Sequence, residues 1–105
     1  MAKLYITEYS DVPSAYAATS MQLVREPPLV DQTPVAIGAS AVSSVAFSNS
    51  TRIVRLHTDA ICSIAIGPAA STTATANNQR LAANQTEYKL VPGGAGYVVS
   101  VITNT

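Results

Sequence analysis

The sequence predicts an all-β fold: a single-domain β-sandwich or jelly-roll-like barrel of about eight short strands with an extended Pro-rich segment. Three observations carry this. Short runs rich in Val, Ile, Thr and Tyr recur between turn-forming clusters, as in AKLYITEY, TRIVRLHT and YVVSVIT, and such runs suit a pleated, half-buried surface. No stretch sustains the apolar i, i+3, i+4, i+7 spacing of an amphipathic helix over three turns. At 105 residues the chain has the size of one domain, so 1–105 is read as one unit.

The elements follow in order. In AKLYITEY, Leu4 and Ile6 alternate with Lys3, Tyr5 and Thr7, the period-2 pattern of a strand with one packed face. Residues 9–35 are expected to be loop or an extended arm. Within them, SDVPSAYAATS lacks a period, with a helical turn possible at Ala15–Ala18. MQLVRE is a short strand, and PPLVDQTPV is extended backbone along a sheet edge, because proline cannot donate to a ladder. VAIGASAVSSVAF reads as two strands around Gly38–Ser40. TRIVRLHT and AICSIAIG, joined tightly at Thr58 and Asp59, are the most apolar pair and the expected centre of the core. GPAASTTATANNQRLAAN is small and polar, the composition of a connection crossing the end of a sandwich. TEYKLVPGGAGYVVSVIT closes the chain as strand, glycine turn and strand.

Composition narrows the function. Charged residues make up 11% of the chain against a usual share of about 25%, and six basic residues balance six acidic ones. A neutral surface without a Lys/Arg cluster lacks the counterion-release term that drives nucleic-acid binding, so no nucleic-acid partner is expected. The longest apolar runs fall well short of the ~20 residues of a membrane helix, and MAKLYITEYS has no apolar signal core. We expect no membrane partner, a cytoplasmic site of synthesis, and a surface that docks on protein.

The stretch RIVRLHTDAIC gathers the only histidine, the only cysteine and an aspartate. In a strand, Ile53, Arg55 and His57 share one face and Val54 and Leu56 the other. A thiol protease would need His57 and Cys62 within hydrogen-bond reach, a third orienting group and an oxyanion site. A hairpin pair supplies neither pocket nor oxyanion donors, and one His, one Cys and one Asp lack the paired spacing of a zinc site. The expectation is no enzyme, no metal and no cofactor, with Cys62 a small buried hydrophobe and Asp59 a turn residue. VPGGAGYV lacks the helix and Lys-Ser/Thr pair of a phosphate loop and reads as a hairpin or corner turn. Tyr5, Tyr9 and Tyr16, with Pro27 and Pro28, are the candidate protein-interface residues, since tyrosine combines apolar area with a polar tip.

The second half, TRIVRLHTDAICSIAIGPAASTTATANNQRLAANQTEYKLVPGGAGYVVSVIT, resembles small virion proteins of tailed bacteriophages of the capsid decoration or cement type. Cys62 to Gly67, Arg80 to Asn84, Glu87 with Tyr88, and Gly93 to Ile102 carry the resemblance, over about half the chain. It implies a jelly-roll or related β-sandwich unit on the capsid surface, bound at junctions of the major capsid protein and forming a trimer or dimer. It carries over no catalytic residue and no cofactor. The alternative expectation is a receptor- or glycan-binding module of a tail fibre or baseplate.

Overall fold

The computed structural model describes residues 2–10 and 27–104. These form nine strands and no helix: β1 (Lys3–Tyr9), β2 (Val30–Asp31), β3 (Val35–Ala36), β4 (Val42–Ser43), β5 (Ile53–Thr58), β6 (Cys62–Pro68), β7 (Gln79–Leu81), β8 (Thr86–Leu90) and β9 (Tyr97–Thr103). Two antiparallel sheets pack face to face as a β-sandwich. In the first, β2 and β3 flank one side of β1, followed by β5 and β8; the second runs β4, β9, β6, β7. The expected strand at 21–26 and the helical turn at 15–18 lie outside the described residues.

β2 and β3 are two pieces of one edge. Val30 and Asp31 pair with Glu8 and Thr7, and Val35 and Ala36 with Leu4 and Lys3. Backbone bonds from Leu29 N–H to the Glu8 carbonyl, Gln32 N–H to that of Ile6 and Ile37 N–H to that of Ala2 extend the line. Pro28 and Pro34 sit along this edge, where a missing N–H costs no ladder bond. The expected extended backbone along an edge is found there, although 30–31 and 35 are strand and not free arm.

Alternation fills the core. β1 contributes Leu4 and Ile6, β5 Val54 and Leu56, β6 Cys62 and Ile64, β7 Leu81, and β9 Val99 and Val101, with Phe47 and Val91 closing the interior from two corners. Each large aliphatic side chain buried this way contributes about 1.5–3 kcal/mol relative to exposure.

The strand pairing within the sandwich is nested. β4 pairs with β9, β5 with β8 and β6 with β7, nested pairs that describe one long hairpin rolled into two sheets. β3 comes next in that series and, among the described residues, pairs with β1.

Two expectations are corrected. β5 and β6 are not a hairpin, because they belong to different sheets. Thr58 turns the corner, its hydroxyl donating to the Ala60 carbonyl (2.6 Å) and accepting from the Ala60 N–H (3.2 Å). Residues 67–84 are not one crossing either: 69–78 returns the chain to the same sheet, β7 follows, and only 82–85 cross over. Asn84 takes a left-handed conformation there (φ 64°), as Gly94 and Gly96 (φ 75° and 66°) do at the corner between β8 and β9.

Loop 69–78 also covers the outer face of the second sheet. That face carries Ser63, Ala65 and Gly67 on β6 and Val98, Ser100 and Ile102 on β9. Ala74 N–H donates to Ser100 Oγ (2.9 Å), while Asn104 Nδ2 donates to both Ser63 Oγ (2.7 Å) and the Ala76 carbonyl (3.3 Å). Ser63, Ala74 and Ser100 are buried as a result.

Candidate protein-docking face

Among the described residues, no loop covers the outer face of the first sheet over the rows of Tyr5 and Tyr88. Strand register lays it out: Tyr5, His57 and Thr86 form one row, Thr7, Arg55 and Tyr88 the next, and Tyr9, Ile53 and Leu90 the third. Tyr5 is 41% exposed, Tyr88 44% and Leu90 83%, whereas Tyr9 and Ile53 are buried at 5%. Tyr5, Tyr88 and Leu90 are thus the exposed apolar side chains of this face, with Thr7, Arg55, His57 and Thr86 half-buried among them, and tyrosine and arginine are enriched at protein contact surfaces.

His57 belongs to this face. Its Nδ1 shares a hydrogen bond with Thr86 Oγ1 (2.8 Å), and its ring lies 6.3 Å from that of Tyr5 at 48°. The Thr86 bond ties the imidazole to β8, beside the Tyr5 ring on β1.

Cys62 is elsewhere. It is fully buried between the sheets, with Sγ donating to Thr58 Oγ1 (3.6 Å), so the sheet separates it from the outward-facing His57. Burial pushes the thiol above its usual pKa; the Thr58 hydrogen bond opposes this and the Asp59 charge adds to it. Asp59 does work as a connection residue, though across the fold: its Oδ1 accepts the Lys3 N–H (2.7 Å) and its own N–H donates to the Lys3 carbonyl (3.3 Å), pinning the start of β1. Among the described residues no group of three His, Cys, Asp or Glu is placed to hold a metal ion, and no helix is long and apolar enough to cross a membrane.

Of the residues singled out from the sequence, Tyr5 lies on the open face. Tyr9, on the same face, is buried at 5%. Pro27 is exposed and Pro28 half-buried at the β2 edge, beside the exposed Leu29; Tyr16 lies outside the described residues. Sequence reasoning missed Tyr88 and Leu90 as surface groups. The signal was present, because T-E-Y-K-L places Thr86, Tyr88 and Leu90 on one face of a strand. It also missed Val45, 75% exposed beyond β4.

No protein-family model matches the sequence, and neither a curated protein nor a solved structure matches it.

Proposed function

We propose that this chain is a structural virion protein of a tailed bacteriophage, a capsid decoration or cement protein that docks on the major capsid protein and stabilises the head. One observation carries the docking part: the two sheets are treated differently. The second has the middle of its outer face covered by loop 69–78, which buries Ser63 and Ser100, while the first leaves Tyr5, Tyr88 and Leu90 exposed. The capsid as partner comes from the resemblance over residues 51–103. A small rigid sandwich with few charges suits a part that must sit at many equivalent lattice positions, where each weak contact is multiplied by the number of sites.

The test uses heads of the phage that carries this gene, assembled without the protein. Added chain is expected to co-sediment with the heads at saturable stoichiometry and to raise their thermal disruption temperature. Tyr5→Ala and Tyr88→Ala together should weaken binding at least tenfold while leaving the far-ultraviolet spectrum unchanged. Absence of binding, or binding indifferent to both tyrosines, would sink the reading. The exposed tyrosines on one flat face also favour a second reading, a glycan-binding module on a tail fibre or baseplate, since sugars stack on such rings. Tyr-dependent binding on a glycan array with none to heads selects that alternative.

A further inference from the structure

Among the described residues, strand β8 is an edge of the first sheet, with β5 its only neighbour. Thr58 N–H donates to the Gln85 carbonyl and Val91 N–H to that of Arg52. In antiparallel pairing, hydrogen-bonded and non-hydrogen-bonded positions alternate, so Gln85, Glu87, Lys89 and Val91 direct their backbone groups to β5. The N–H and C=O of Thr86, Tyr88 and Leu90 therefore point away from the sheet, an open template for another strand.

The side chains around that edge are symmetric about Tyr88 in a chemical sense. Glu87 precedes it and Lys89 follows, both on the sandwich side, their charges 3.7 Å apart. Lys89 Nζ also donates to Gln79 Oε1 (2.6 Å), and Gln85 Nε2 to Glu87 Oε2 (2.8 Å). Inward-facing charges on an edge discourage indiscriminate pairing. They permit one partner, however. Laid antiparallel on a copy of itself about Tyr88, the strand sets Thr86 opposite the partner's Leu90, Tyr88 opposite the partner's Tyr88, and Glu87 opposite the partner's Lys89. The backbone groups that exchange bonds in this arrangement are those left free by β5. The Glu–Lys pairs then fall at the non-hydrogen-bonded positions, where facing side chains come closest. A shift to either adjacent bonded register brings Glu87 onto the partner's Glu87, or Lys89 onto the partner's Lys89. Backbone polarity and charge thus select the same register.

We infer that the chain pairs with a second copy of itself through β8, an isologous two-fold contact. The contact joins two first sheets into one and makes the two open faces continuous. It requires only the isolated protein, so its failure and the failure of the capsid reading are separately visible.

The experiment is sedimentation velocity of the full chain at low ionic strength, at concentrations rising to about 1 mM, with hydrogen exchange followed by NMR in parallel. The wild type is expected to show a monomer–dimer equilibrium, with the Thr86, Tyr88 and Leu90 amides gaining protection as concentration rises. Glu87→Lys and Lys89→Glu should each weaken the dimer at least tenfold, because each sets like charges opposite each other. An equimolar mixture of the two variants should associate again, since each then meets the other's opposite charge. A wild type that stays monomeric with concentration-independent exchange overturns the inference, as does a dimer indifferent to both reversals and to mixing. If either variant loses its β spectrum, the wild-type amide protection decides alone.

Discussion

Glu8 is 1% exposed at the end of β1, and three donors converge on its carboxylate. Oε1 accepts Ser48 N–H (2.8 Å) and Thr51 Oγ1–H (2.5 Å), and Oε2 accepts Gln32 Nε2–H (2.7 Å). One side chain thereby ties β1 to its edge strand and to the corner leading into β5. Leucine at this position fills similar space and accepts nothing, leaving buried donors without partners. Glu8→Leu is therefore expected to destabilise the protein by roughly 3 kcal/mol, since each stranded donor costs about 1–3 kcal/mol. Glu8→Gln should cost less, because a turn of the Gln32 amide restores a partner while giving up its 3.2 Å bond to the Val45 carbonyl. Urea unfolding of the two variants checks the order; equal losses would show that shape and not polarity matters there. The sequence held the clue, as Glu8 has the same parity as Leu4 and Ile6 and so must face inward. What it did not contain is the partners, which lie 24 to 43 residues away. Cys62 makes a second residue-scale prediction. An unfolded thiol titrates near ~8.5 and the folded one higher, so the native state keeps its proton longer. Its contribution to stability is full below that unfolded value and is lost as pH rises through the folded one. The wild type should lose stability between neutral and alkaline pH more steeply than Cys62→Ala, as read by urea midpoints, and should react with a thiol reagent only on unfolding.

At the scale of elements, β6 shows what alternation reveals and what it hides. Apolar Cys62, Ile64 and Ile66 on one face mark a strand, and its place at the centre of the core was legible. The small residues between them looked like a solvent face, yet Ser63 and Gly67 are buried under loop 69–78. A loop's path depends on contacts with residues far along the chain, and period-2 patterning carries no trace of it. The same holds for the corner at Thr58 and Asp59: a short connection between two apolar strands is equally consistent with a hairpin and with a change of sheet. Gly67 tests the loop. A Cβ placed there would lie 2.5 Å from Thr72 Oγ1, and the hydroxyl belongs to the covering loop. Gly67→Ala should cost about 1–3 kcal/mol, as overpacking does, and should speed exchange of the Ala74 amide. Thr72→Ala removes the obstructing oxygen, so the double variant is expected to recover most of the loss. Additive losses in the thermal melts of the single and double variants would mean that the loop is not pressed on β6.

For the whole molecule, the nested pairing implies that connectivity at β1 is incidental to the architecture. β1 fills the position that a strand following β9 would take, and the two chain ends meet the same corners. Ala2 accepts from Ile37 N–H and Thr103 N–H donates to Gly38; Lys3 is bonded to Asp59, and Asn104 N–H donates to the Ile61 carbonyl. Ends this close are the geometry in which circular permutation is tolerated. A permuted chain that begins at Pro27, runs to Thr105 and continues through a short Gly/Ser linker into Ala2–Ser10 would place β1 last, giving an uninterrupted rolled hairpin. Its β1 still pairs with β3 and β5 in the same register, keeps Glu8 over Ser48 and Thr51, and retains Leu4 and Ile6 in the core. It is expected to fold with an unchanged far-ultraviolet spectrum and a melting temperature within about 8 °C of the parent, the shift that ~1 kcal/mol produces in a domain of this size. A permuted chain that fails to fold, while the parent with the same linker appended at its end folds normally, would show that the link between β1 and β2 holds the first strand in place, and that sheet pairing alone does not.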